Sequence, residues 1–171
     1  MNSSNINYNE IKGLLNFIGK SQDFHSEYYR LDSTRLFYTE KEDGQPFFGL
    51  TCNIINIPNK VLNLELSPRS YFNLKYFLDM HTKFVPTSHK LFTAISNFAN
   101  INILAAFVPL YDNGHYITYI LMECDGRYLC ADCIFSDVVC MRQSYDFPIY
   151  IHQDIIFGLG ENPITEIKES I

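Results

Sequence analysis

The sequence predicts an α+β domain, an antiparallel sheet of about five or six strands with two or three helices. Three observations predict it. The second half of the chain is a succession of runs rich in Ile, Val, Tyr and Phe, broken by the turn-forming pairs Asn113-Gly114 and Asp125-Gly126. Stretches with apolar residues at helical spacing stand apart from those runs. And 171 residues, 47% apolar with 14 Phe and 12 Tyr, supply one core without staples, since a chain this long buries roughly 70% of its unfolded surface. A single domain over 1–171 is expected, with an N-terminal helix within 1–20, an α+β core over 35–157 and a loosely held tail over 158–171.

Taken in order, Asn9–Lys20 reads as an amphipathic helix with Ile11, Leu14, Leu15 and Ile18 on one face and Gly19 as its stop. Residues 21–34 show no clear period, and Arg35–Thr39 reads as a short strand. After the turn Glu40–Pro46, the segments Phe47–Ile57 and Asn59–Leu66 read as a hairpin broken at Pro58-Asn59. Ser70–Met80 has a roughly helical period. Ser88 is an N-cap for a helix over His89–Asn97, with Leu91, Phe92, Ile95 and Phe98 on one face. Ile101–Leu110, His115–Glu123, Tyr128–Ile134 and Pro148–Phe157 then form the expected antiparallel meander.

Charge and cysteine content narrow the function classes. With 13 Lys+Arg against 19 Asp+Glu the net charge is −6, and the cations are scattered, so nucleic acid is not an expected partner. No apolar run approaches the ~18 residues of a spanning helix, which implies no membrane partner. The first residues lack a secretory leader, so the cytosol or nucleus is expected, and the five cysteines are read as free thiols. Cys130-Ala131-Asp132-Cys133 is a CxxC, but zinc wants four ligands and Cys124 and Cys140 do not make a second close pair. On a strand, Cys130 and Cys133 face opposite ways. No metal or cofactor is implied. The aromatic excess is first a core-forming feature; an exposed cluster such as Tyr28-Tyr29 or Tyr71-Phe72 would instead suggest a docking patch.

The chemical suggestion lies in Gly114-His115-Tyr116-Ile117-Thr118-Tyr119, which opens a strand with a histidine, and in Asp132 on the strand after it. A His base and its orienting carboxylate can be mounted on neighbouring strands in this way. The intervening turn decides whether they meet. A two-residue turn at Asp125-Gly126 sets Asp132 opposite Tyr119, about four residues or roughly 13 Å from His115. A three-residue loop places the pair on opposite faces, and a four-residue loop over Met122–Asp125 sets His115 directly opposite Asp132.

Gly114-His115-Tyr116-x-x-Tyr119, followed by Gly126-Arg127-Tyr128, Asp132 and Val138-Val139, resembles the histidine box of ubiquitin-specific proteases, which are papain-like thiol hydrolases. Ile57–Leu66 is similar to that family's Pro-x-x-Leu strand, with Ser67-Pro68-Arg69 replacing its basic-aromatic ending, and Pro148-Ile149-Tyr150-Ile151 to its closing strand. The resemblance covers residues 54–157, the C-terminal half of such a catalytic domain, and implies a papain-like fold in which His115 and Asp132 belong to a catalytic triad. The nucleophile box is echoed only by Gly49-Leu50-Thr51-Cys52-Asn53. Cys52 is followed by β-branched residues and Pro58, a poor start for a helix that would lower a thiol pKa. The expectation is therefore a catalytically degenerate, protein-binding or scaffold module that contacts a ubiquitin-like protein or a larger assembly. One alternative is an active thiol hydrolase using Cys52, His115 and Asp132. Another is an unrelated small α/β chaperone or adaptor.

Overall fold

The computed structural model describes residues 13, 27–55, 57, 61–79 and 88–158. The expected helix Asn9–Lys20, apart from Gly13, and the tail beyond Gly158 lie outside the described residues. In chain order the elements are β1 (Tyr28–Glu40), β2 (Pro46–Ile54), β3 (Val61–Glu65), α1 (Pro68–Asp79), α2 (Ser88–Phe98), β4 (Asn102–Asp112), β5 (His115–Cys124), β6 (Arg127–Ile134), α3 (Phe135–Arg142), β7 (Ile149–His152) and α4 (Gln153–Gly158).

The fold is α+β, and its described strands form one sheet in the order β3-β2-β1-β7-β4-β5-β6. This corrects two expectations: among the described residues alone the sheet has seven strands rather than five or six, and it is mixed rather than antiparallel, because β7 lies parallel to β4. The segment Pro148–Phe157, expected to close the meander, contributes only the four residues of β7 before turning into α4. The short strand expected over Arg35–Thr39 is part of the longer β1, whose pairing with β2 is irregular between Leu31 and Thr34. That irregularity breaks the period-2 alternation by which a strand is recognised in sequence.

Two tight turns fix the register of the β4–β5–β6 meander. Asn113 (φ 48°) and Gly114 (φ 82°) join β4 to β5, and Asp125 (φ 50°) and Gly126 (φ 73°) join β5 to β6. Both are Asx-Gly pairs with left-handed φ, the turn whose twist matches that of the flanking strands. At α1, the Ser67 hydroxyl accepts the Ser70 amide at 3.2 Å, and Pro68 occupies the first helical position, where its missing N–H costs nothing.

The main core lies on one face of the sheet, here the inner face. Leu50, Leu64, Val108 and Ile149 point into it from the strands, and Leu74, Val138 and Ile155 reach it from α1, α3 and α4. α3 carries buried residues all round, which removes the polar-apolar contrast that marks a surface helix and explains why the sequence pattern did not announce it. Its Arg142 Nη2 donates to the Asp32 carbonyl at 2.6 Å, tying the helix to the irregular part of β1. On the outer face, Ala105, Phe107, Leu121 and Tyr150 make a second buried cluster in which the Phe107 and Tyr150 rings stack at 5.4 Å. The centre of β4 is thus buried on both faces, consistent with its unbroken apolar run.

The single face expected for Leu91, Phe92, Ile95 and Phe98 on α2 is split in the structure. Leu91, Ile95 and Phe98 face outward, Phe98 at 92% exposure, while Ser96 is buried and Phe92 packs against the core. Three contacts hold this rotation: the Ile101 amide donates to the Ser96 carbonyl, the Tyr145 hydroxyl to the Thr93 carbonyl, and the Cys124 thiol to the Ala99 carbonyl.

Candidate functional site

His115 is the first residue of β5, exposed, directly after the Asn113-Gly114 turn and paired with Asp112. Asp132 is exposed on β6 and paired with Tyr119, because Cys124 and Arg127 close the two-residue turn. Both side chains lie on the outer face, but four residues of β5 separate His115 from the partner of Asp132, a span of about 13 Å. That is several times the reach of a hydrogen bond. The structure therefore does not bring His115 and Asp132 together as a base and its orienting acid.

Cys52 is in β2, fully buried on the inner face. Burial pushes its thiol up to about 12, only partly opposed by the Arg142 charge. A nucleophilic thiol requires the opposite shift. It lies on the face opposite to that of His115, so none of the three residues expected to form a triad meets another. The neighbour of His115 that does point inward is Tyr116, whose ring packs between Tyr111 and Phe135 at 4.7 and 5.5 Å. Burial raises the Tyr116 hydroxyl, the neighbouring Tyr111 adds to the rise, and a backbone hydrogen bond from Glu65 opposes it. Its role there is packing with a satisfied polar tip.

The other cysteines are also free thiols. Cys133 and Cys140 are both pushed up to about 12, first by burial and then by the Asp137 carboxylate. Cys130 packs on the outer cluster and Cys133 on the inner, the opposed facing that strand alternation dictates.

Two features were not singled out by spacing in the sequence. One is His152, where β7 ends. Its Nε2 lies 3.4 Å from a Glu27 carboxylate oxygen, its Nδ1 accepts the Asp154 amide at 3.2 Å, and its ring meets Tyr28 edge-on at 5.1 Å. The same Nδ1 lies 3.5 Å from an Asp154 carboxylate oxygen, so a carboxylate stands at each ring nitrogen. The Gln153 amide donates to the Glu27 carbonyl at 2.6 Å beside it. Both ring nitrogens are engaged, and the group links the start of β1 to the end of β7. Strand-end residues from opposite ends of the described chain make it, which no local motif announces.

The second feature is an aromatic patch where α1 meets β1 and β2. The Phe48 ring contacts Tyr38 at 5.5 Å, Tyr71 at 4.9 Å and Phe72 at 5.4 Å, and Tyr71 meets Phe72 at 5.5 Å. Tyr71 is buried and anchors the group, whereas Phe72, Tyr76 and Tyr38 are 56%, 48% and 42% exposed. Of the two pairs that the sequence offered as docking candidates, Tyr71-Phe72 belongs to this exposed cluster. Its half of the signal was legible in the sequence; the contributions of Tyr38 and Phe48 come from strands distant in the chain.

No protein-family model matches this sequence, and no curated protein matches it. Among the described residues there is no group of His, Cys, Asp and Glu arranged to hold a metal ion, and no helix is long and apolar enough to cross a membrane.

Proposed function

We propose that this chain is a protein-binding module without thiol-hydrolase chemistry, a degenerate relative of ubiquitin-specific proteases that docks a ubiquitin-like protein or a larger assembly. The observation that carries the reading is the Tyr38–Phe48–Phe72–Tyr76 patch. Large aromatic side chains are the residues that dominate binding energy at interfaces, and here they are held by a buried anchor, Tyr71, so little ordering cost falls on the docking step. The separation of His115 from Asp132 and the burial of Cys52 support the non-catalytic half of the reading. The ubiquitin-like character of the partner rests on the sequence resemblance alone.

Titrating the isotopically labelled chain with ubiquitin tests the proposal. Amide shifts confined to the patch and its flanks in α1 and β2 are expected, with Phe72→Ser abolishing them. An absence of shifts at millimolar ubiquitin, or a covalent adduct at Cys52 with an electrophilic ubiquitin probe, overturns it.

A further inference from the structure

The outer cluster of the sheet is drier than the described residues on that face explain. Ala105 and Phe107 of β4, Leu121 of β5 and Tyr150 of β7 are all buried, Phe107 at 1% exposure. The partly buried residues packed against them, Tyr28, Leu104 and Cys130, belong to β1, β4 and β6. The four described helices serve the other face, since Leu74, Phe92, Val138 and Ile155 all reach the inner core. Side chains on a sheet screen one another's flanks, but a ring standing off the sheet keeps its tip wet unless a second layer lies over it.

We infer that the segment Asn9–Lys20 supplies that layer, packing as a helix across the outer face with Ile11, Leu14, Leu15 and Ile18 against Phe107, Leu121 and Tyr150. The place where the chain enters β1 favours this occupant. Tyr28, the first residue of the strand, already stands edge-on to Phe107 at 5.8 Å. Residues 21–26 join Lys20 to Glu27 and span at most about 20 Å. A helix over Asn9–Lys20 is about 18 Å long, and the strands β7-β4-β5-β6 lie about 4.8 Å apart, so one helix crosses them all. Gly13 fits the same placement. It is helical and exposed, with open space where a Cβ would stand. The helical repeat sets it opposite the Ile11, Leu14, Leu15 and Ile18 stripe, on the side of Lys12, Asn16 and Lys20. One contact then buries both the apolar stripe and the apolar cluster. A second copy of the chain seated on the cluster would leave that stripe in water, and it would compete with a segment tethered beside the site at millimolar effective concentration.

The intact chain tests this without a substitution. Expected are nuclear Overhauser contacts from the methyl groups of Leu14, Leu15 or Ile18 to the Phe107 or Tyr150 ring. Cys130, half-buried beside the cluster, gives a second readout. In the variant Leu14→Glu, Leu15→Glu, alkylation of Cys130 in the folded chain speeds up by about 10-fold or more, while Cys133 on the inner face keeps its parental rate. Segment methyl groups without a contact to either ring overturn the inference, as does a Cys130 rate that the substitutions leave unchanged. Contacts that appear only between labelled and unlabelled copies also overturn it, because a second copy then covers the face. If the variant speeds Cys133 as well, the whole fold is disturbed and the contacts in the parent chain decide.

Discussion

The buried thiol of Cys52 makes the stability of the fold depend on alkaline pH in a way one substitution isolates. The folded chain holds Cys52 as S–H up to about pH 12, whereas the unfolded chain releases that proton near the ordinary value of 9.0. A group whose folded pKa is raised contributes stability that is complete below its unfolded pKa and is lost as pH rises toward the folded one. Between about pH 9 and pH 12, unfolding therefore sheds one extra proton from this site, and stability falls by about 1.4 kcal/mol per pH unit on its account. Cys52→Ala removes that slope. The truncation also leaves a small void costing on the order of 1 kcal/mol, but that cost is the same at every pH. Urea unfolding of parent and variant, under reductant at several pH values from about 7 to 11, separates the two effects. Tyrosine and lysine titrations are common to both proteins and cancel in the difference. The variant is expected to start less stable and to lose stability less steeply, so that the difference between the two changes by about 2–3 kcal/mol across the upper two pH units and the curves cross. A stability difference that stays constant over the whole range refutes the reasoning, as does native-state alkylation of Cys52 at the rate of an exposed thiol.

Three further outcomes are expected. His115→Ala and Asp132→Ala each change stability by less than about 0.5 kcal/mol, and a double-mutant cycle finds no coupling beyond about 0.3 kcal/mol; a coupling near 1 kcal/mol means the register described here is wrong. Ser96→Ala, which removes a buried hydroxyl with no hydrogen-bond partner among the described residues, is neutral or stabilises by up to about 1 kcal/mol in thermal unfolding, and a loss of that size counts against the account. Gly49 lies opposite Phe37, whose ring crosses the space a methyl would occupy, so Gly49→Ala costs about 1 kcal/mol in the parent and nothing, or less than nothing, in a Phe37→Ala background; additive effects disprove the contact.

Much of the fold was legible where local chemistry alone decides it. Asn113-Gly114 and Asp125-Gly126 announced their turns because few residues accept left-handed φ, whereas the Ser67 cap and Pro68 that open α1 stand just ahead of the helical period read from Ser70. The remainder depends on contacts between segments remote in the chain. β7 could not be placed from sequence, since its four residues fit any vacancy in a sheet and only packing inserts them between β1 and β4. Leu91, Ile95 and Phe98 have the spacing of a core stripe, but spacing fixes which residues share a face and not which face is buried. The triad residues failed for a similar reason. His115 and Asp132 were correctly assigned to adjacent strands, and Cys52 to a strand, yet chemistry depends on register and facing, which the third dimension supplies.

The distance between His115 and Asp132 is itself the result of an energetic contest that the sequence contains. Setting them opposite each other needs the loop Met122–Asp125 and a slide of β6 along β5 by four residues, an even number that keeps every side chain on its present face. The number of paired residues would hardly change, so the ladder does not decide. Met122, only 8% exposed, would leave the core for a loop, at a cost of about 1.5–3 kcal/mol. Arg127 would move from the end of the hairpin to the position opposite Ile120, now held by half-buried Ala131, and taking its charge out of water without a partner costs several kcal/mol more. Glu123 would give up its bonds to Asn102 at 2.9 Å and to the Gly126 amide at 2.6 Å, which hold its carboxyl below the usual range. Against this stands one exposed imidazole–carboxylate pair, worth at most about 1 kcal/mol. The short turn wins by a wide margin, and a catalytic pair on these two strands would require a different residue at 127 before it required a better acid at 132.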